Sequence, residues 1–301
     1  MRLTILGCYA ATPRTLTNPT SQVLEMQNHL FLIDCGEGTQ VQLRKYRVKF
    51  ARIKHIFISH LHGDHFFGLP GLISTFRLLG RENELHIHGP KGIKEAITLL
   101  LKLGDSWTNF PLVFHELESK EPELLFEDEK VSVQTIPLDH RVYTNGFLFT
   151  EKEAPRTLDV EAVKRYGIDR SQYNNIKNGA DGISNDGSRI ANIKLTSDPL
   201  PPKSYAFCSD TAYSESILPL ISNVDALYHE STFLDSEAHL CDKTKHSTAK
   251  QAAQIANQAQ VGNLILGHYS TRYKSIDLFR EEALEVFPIV ELADDGKVFD
   301  L

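Results

Sequence analysis

The six residues His60-Leu61-His62-Gly63-Asp64-His65, which follow the apolar stretch Ile56-Phe57-Ile58-Ser59, constrain this chain more than any other feature. The stretch is short and bounded by polar residues, and it reads as a strand from His55 to Ser59. A loop leaving a strand end can turn several side chains toward one point. Three imidazoles and a carboxylate within six residues are metal-ligand chemistry, because neutral imidazole and carboxylate oxygen both suit zinc. Gly63 is read as permitting the tight bend between them.

The same pattern recurs along the chain. Apolar strands run into potential ligands at Ala206-Phe207-Cys208-Ser209-Asp210, at Ala226-Leu227-Tyr228-His229-Glu230 and at Leu264-Ile265-Leu266-Gly267-His268, and His140 follows Ile136-Pro137-Leu138-Asp139. Sites in layered α/β folds collect at the carboxyl ends of strands, so five such ends can form one rim.

Around them, Leu3 to Leu6, Val23 to Met26, Leu30 to Ile33, Leu85 to His88, Leu112 to Leu117, Val131 to Ile136 and Gly146 to Thr150 read as strands. Gln27-Asn28-His29 reads as a hairpin link. Thr39 is placed as the cap of a helix reaching about Val48, Phe66 to Leu79 is apolar at helical spacing, and Gly89-Pro90 is read as opening another helix. Glu151 to Lys203 is rich in Asn, Gly, Asp and Pro and reads as a long loop. Beyond it strands and helices alternate, with helices from Thr248 to Gln260 and Asp277 to Val286. A β-rich first half followed by a β/α second half fits two packed sheets covered by helices.

Composition narrows the class. The chain has 301 residues, of which 41% are hydrophobic and 24% charged, which is ordinary for a globular protein. No apolar run approaches the roughly 20 residues that a membrane span needs. The net charge of −7 argues against a protein that coats nucleic acid, yet leaves room for a local RNA-binding patch. Cys8, Cys35, Cys208 and Cys241 show neither zinc-finger spacing nor a disulfide framework. The N-terminus reads as a strand rather than a signal peptide, and a reducing cytoplasm is the expected compartment.

Taken in order, His60-Leu61-His62-Gly63-Asp64-His65, Leu138-Asp139-His140, Cys208-Ser209-Asp210-Thr211, His229-Glu230-Ser231-Thr232 and Gly267-His268-Tyr269-Ser270-Thr271-Arg272-Tyr273 resemble the motifs of the metallo-β-lactamase superfamily. The glutamate box, His246, the HxSxRY ending and Phe31-Leu32-Ile33-Asp34-Cys35-Gly36-Glu37-Gly38-Thr39-Gln40 are similar to ribonuclease Z in its short form, and the resemblance covers essentially the whole chain. It implies an α/β fold, an αββα sandwich of two mixed sheets flanked by helices. It also implies one domain over residues 1–301, with a tRNA-binding arm inserted within about 151–203.

The implied cofactors are two Zn2+ per subunit, with Mn2+ the alternative ion. By motif position His60, His62 and His140 would hold one ion, Asp64, His65 and His268 the other, and Asp210 would bridge them. Two ions about 4 Å apart clamp a scissile phosphate and yield a nucleophile near neutral pH, with Asp64 orienting the attacking hydroxide. His246 resembles the family's proton donor for the leaving 3′ oxygen, kept charged by Glu230. The implied activity is removal of the 3′ trailer from precursor tRNA, leaving a 3′-OH. The implied partners are precursor tRNA and a second copy of the chain in a homodimer. The alternative is a hydrolase of a small phosphodiester or ester on the same fold.

Other features stay outside this set. His86 and His88 share a strand face, and a structural role is expected of them; His29, His55, His115 and His239 have no partners in sequence. Asp34 is expected to buttress a metal-binding histidine. The run from Arg44 to Lys54 is basic without an acidic residue. In the loop Pro13-Arg14-Thr15-Leu16-Thr17-Asn18, Thr15 and Thr17 stand where many ribonuclease Z chains carry lysine and arginine, so the cleavage position is not carried over.

Overall fold

A computed structural model describes residues 1–12 and 14–301; Pro13 of the departing loop lies outside the described residues. The chain divides into two compact units, residues 1–150 with 203–301, and Glu151–Pro202.

The larger unit is built on two seven-stranded sheets. In chain order the strands are β1 (Arg2–Gly7), β2 (Ser21–Met26), β3 (His29–Ile33), β4 (His55–Phe57), β5 (Leu85–Pro90), β6 (Leu112–Leu117), β7 (Leu124–Glu127), β8 (Val131–Pro137) and β9 (Asn145–Glu151). They continue as β10 (Ser204–Cys208), β11 (Ala226–Glu230), β12 (Leu264–Gly267), β13 (Val290–Leu292) and β14 (Val298–Asp300). One sheet runs β14-β1-β2-β3-β4-β5-β6 and the other β13-β12-β11-β10-β9-β8-β7. Both are mixed: β3 to β6 are parallel, as are β10 to β13, while β14 with β1, β1 with β2, β2 with β3, β9 with β10 and β7 with β8 are antiparallel.

Period-two alternation explains the layering. In β3, Phe31 and Ile33 join the core between the sheets, while Leu30 and Leu32 pack in a second cluster with Leu43, Leu72, Phe76, Ile93 and Ile97. Those residues come from three helices, Thr39–Lys45, Leu69–Leu78 and Ile93–Leu103. The helix Ala249–Gln258 packs its alanines with β11 and β12. Helix, sheet, sheet, helix is the αββα order expected from the motifs.

Several expectations need correction. Gly38, not Thr39, is the cap of the first helix; it adopts a left-handed conformation at φ 83°, and Thr39 Oγ1 donates to Gly36 O at 2.7 Å instead. Pro90 ends β5 rather than opening a helix, and the next helix starts at Ile93 after Gly92 at φ 99°. Gln27 and Asn28, both at positive φ, form the hairpin turn, and His29 already belongs to β3. Gly63 does not supply an unusual backbone angle: it begins a short helix, Gly63–Phe66, and a Cβ there would lie 2.4 Å from the Phe67 ring.

The segment read as a long loop is folded. It carries helices Val160–Arg165 and Tyr173–Lys177, the paired strands Thr157–Leu158 with Thr196–Ser197 and Gly182–Ile183 with Arg189–Ile190, and a small core of Val163, Ile168, Ile176 and Leu195. Its apolar residues are too few and too widely spaced to show a period, so its composition masked the core. In the larger unit, the flanks of this segment are neighbours: Thr150 in β9 pairs with Ser204 in β10.

Candidate metal centre

The parallel strands deliver the ligands. His60 and Asp210 come just past β4 and β10, and His268 follows β12. Asp34, Asp210 and His268 all have left-handed backbones, at φ 55°, 63° and 60°. Non-glycine residues seldom adopt that conformation, and it concentrates at functional sites. Here it turns each chain sharply off its strand so that the side chain points along the rim.

Two groups of ligand atoms result, His60 with His62, His140 and Asp210, and Asp64 with His65 and His268. Asp210 stands between them. Its Oδ2 lies 3.5 Å from His60 Nε2 and 3.7 Å from His140 Nε2, while its Oδ1 lies 3.1 Å from His65 Nε2 and 3.2 Å from His268 Nε2. Asp64 Oδ2 lies 3.5 Å from both His65 Nε2 and His268 Nε2.

The outward-facing ring nitrogens set the tautomers. His65 Nδ1 donates to Asp34 Oδ2 at 2.7 Å, His140 Nδ1 to Lys245 O at 2.9 Å, and His268 Nδ1 to Thr232 Oγ1 at 2.9 Å. Ser59 Oγ gives its proton to Asp34 Oδ2 at 2.8 Å and accepts from His60 Nδ1 at 3.1 Å. Each ring therefore presents an Nε2 lone pair to the centre. All four of those Nε2 atoms are buried without a hydrogen-bond partner. Buried polar atoms are almost always satisfied, and a cation is the partner that four converging lone pairs and two carboxylates suit. The donor set of imidazole and carboxylate matches zinc. Burial would strip His65 of its proton, but Asp210, Asp64 and Asp34 hold its pKa well above the ordinary value, whereas burial keeps His60, His62 and His140 below theirs and so favours the neutral, ligand form.

A third cluster, Asp210 with Glu230, His246 and His268, has a different character. Glu230 Oε1 accepts from Thr211 N at 2.8 Å and from His246 Nδ1 at 2.7 Å. Its Oε2 accepts from Thr232 N, Thr232 Oγ1 and Ser247 N at 3.2, 2.6 and 3.1 Å. A carboxylate with both oxygens so fully engaged has no lone pair to spare for a metal. It serves as the counter-ion of His246. Burial alone would lower the His246 pKa, yet the charge of Glu230 and its hydrogen bond raise it to about 9. The next helix anchors this pair through a capping box, in which Gln251 N donates to Thr248 Oγ1 and Thr248 N to Gln251 Oε1.

All nine residues singled out in the sequence, His60, His62, Asp64, His65, His140, Asp210, Glu230, His246 and His268, thus meet in one place. His229 does not join them; its Nδ1 turns back to Glu230 O. Sequence reasoning missed Ser59 and Thr232, the hydroxyls that orient His60 and His268. Their only signal was adjacency, Ser59 beside His60 and Thr232 two residues past Glu230. Beside Asp64 opens a cleft of about 630 Å³ lined by Tyr9, Thr12, Thr17, Asn18, Glu37 and the exposed Phe67 among others. The departing loop therefore faces the centre through Thr17 and Asn18. In the basic run, Arg47, Lys49 and Arg52 border a separate cleft of about 370 Å³.

Comparisons place these features among known proteins. The family model described as "Anti-Pycsar protein Apyc1" matches residues 1–161. Ribonuclease Z of Bacteroides fragilis is 47% identical over 299 residues, spanning 99% of this chain and 98% of the relative. The crystal structure of the short form of human tRNase Z superposes with a TM-score of 0.72 at 28% identity, covering 100% of this chain and 99% of that one. The metallo-β-lactamase-fold protein YhfI from Bacillus subtilis superposes with a TM-score of 0.70 at 19% identity, covering 99% of this chain and 98% of that one, a likeness of fold.

Proposed function

This chain belongs to the ribonuclease Z family, and from that membership and the geometry of its site we propose that it is a two-metal endoribonuclease removing the 3′ trailer from precursor tRNA. The observation that carries the reading is the position of Asp210, whose two oxygens face two separate ligand groups. A carboxylate so placed is suited to bridge two cations.

His60, His62 and His140 would hold one ion and Asp64, His65 and His268 the other, with Asp210 shared. Zn2+ is the proposed metal and Mn2+ the alternative. When bound, the ions would polarise the scissile phosphate and activate water. The chain's own groups do the rest. Asp64, at the mouth of the cleft, is placed to hydrogen-bond the attacking water and fix its line of approach. Asp34, Ser59, Thr232 and the Lys245 carbonyl hold the imidazoles in register. His246, charged by Glu230, gives its proton to the tRNA 3′ oxygen as the phosphorus–oxygen bond breaks. The products are a tRNA with a 3′-OH and a trailer with a 5′-phosphate.

The folded insert Glu151–Pro202 is proposed as the tRNA-binding arm. A homodimer in the cytoplasm completes the reading. No helix among the described residues is long and apolar enough to cross a membrane.

The test is cleavage of a 3′-extended precursor tRNA lacking CCA, mapped to the nucleotide, with added zinc and a His65→Ala control. A single cut just after the discriminator base, absent in the control, is the expected result. A cut elsewhere keeps the enzyme class and points to the loop with Thr15 and Thr17. No cut, beside rapid turnover of a small chromogenic phosphodiester, replaces this reading with that of a small-substrate hydrolase.

A further inference from the structure

At one edge of the sandwich the inward face of a sheet carries imidazoles where hydrocarbons are expected. Strands β4, β5 and β6 are parallel, with His55 level with His86, and Phe57 level with His88 and His115. Side chains level across neighbouring strands share a face. The rings stack, with centroids 4.7 Å apart for His55 and His86 and 4.3 Å for His88 and His115. Across the rows, His86 Nδ1 lies 3.0 Å from His115 Nε2, and His55 Nδ1 lies 3.2 Å from His88 Nε2. The cluster opens into a cavity of about 570 Å³.

We infer that this edge is a second metal site, separate from the catalytic centre, which binds a divalent transition cation such as Zn2+ or Ni2+ through His86 Nδ1 and His115 Nε2.

Three observations carry it. Two imidazole nitrogens bound to one ion at about 2.0–2.1 Å with a near-tetrahedral angle stand roughly 3.3 Å apart, close to the spacing already present. Glu84 Oε1 lies 3.1 Å from His86 Nε2. A carboxylate at that distance favours the tautomer that keeps the proton on Nε2 and leaves the lone pair on Nδ1, the form in which metal-binding histidines are held. Third, polar capacity is left over: His88 is 1% exposed, and its Nδ1 has no hydrogen-bond partner. An all-imidazole pair selects Zn2+, Ni2+ or Cu2+ over Mg2+ or Ca2+. The His86 side chain is 22% exposed, which gives the ion a way in and lets water complete its shell.

The test counts metal and does not depend on the catalytic reading. Wild type and the double variant His86→Gln/His115→Gln are equilibrated with excess Zn2+, passed through a desalting column and analysed for zinc. The double variant is expected to hold one equivalent fewer per chain, with unchanged melting temperature in chelator. Equal counts overturn the proposal and leave the two contacts as N–H···N hydrogen bonds. Should the double variant fail to fold, the surface substitution Glu84→Gln is titrated with Co2+ and followed by its visible absorption. A weakening of about tenfold at this site is expected from loss of the orienting carboxylate, and unchanged affinity overturns the inference.

Discussion

His60, His65, His140 and His268 converge on carboxylates, whereas His55, His86, His88 and His115 chiefly face one another, and the difference in surroundings shows at particular residues. In the second group burial dominates, with the neighbouring rings adding to it, and pushes His55 down to about 3 and His88 to about 2. At the candidate metal centre burial still lowers His60, His62 and His140, but it is overridden at two positions. Asp210, Asp64 and Asp34 raise His65, and Glu230 raises His246 to about 9. The lesson is that a histidine-rich patch is not in itself a reactive centre. An individual imidazole gathers charge only where neighbouring carboxylates outweigh its burial, as at His65 and His246, and burial lowers it elsewhere, as at His60 and His140.

Substitutions can break this contrast. The largest effect is expected from Asp210→Ala, which removes the one carboxylate that both ligand groups share. Cleavage should fall to background and bound metal should drop; full activity would mean that the two groups do not act together. His246→Ala should slow the chemical step by about 10²- to 10⁴-fold while metal content and tRNA affinity stay near wild type. Loss of zinc in that variant would reassign His246 as a ligand. Asp34→Asn should weaken metal binding by about 10- to 100-fold, measured by competition with a chelator, since it takes the partner from His65 Nδ1.

The smallest and most diagnostic effect is on pH. A raised histidine keeps its proton until the pH passes its folded value, so activity that needs the His246 proton should hold on the acid side and fall as pH rises through about 9. In Glu230→Gln the pair loses its charge. The alkaline limb should then move down toward about 6.5, the ordinary histidine value. An unmoved limb would show that another group sets it.

Much of this was legible in the sequence because strand ends announce themselves. Short apolar runs followed by His or Asp located the rim, and parallel strands that share one end made the convergence a matter of geometry. The supporting hydroxyls were not legible, since Ser59 and Thr232 look like any polar residue until the fold brings Asp34 and His268 beside them. The second histidine group was hidden for the same reason. His55, His86 and His115 lie on three strands separated by long connections, and only register aligns them. Strand β7 and the closing strand β14 were missed because they are short and, at Glu127 and Asp300, carry charge.

The pairing of Thr150 with Ser204 has a consequence for how such a chain can change over time. The insert leaves from and returns to adjacent positions on neighbouring antiparallel strands, so its two ends are already joined through the sheet. Replacing Glu151–Pro202 by a tight turn would convert β9 and β10 into a simple hairpin, and the entropy of closing a loop grows only slowly with its length. The insert is in this sense a cassette. It can be lengthened, shortened or exchanged with little strain on the sheet.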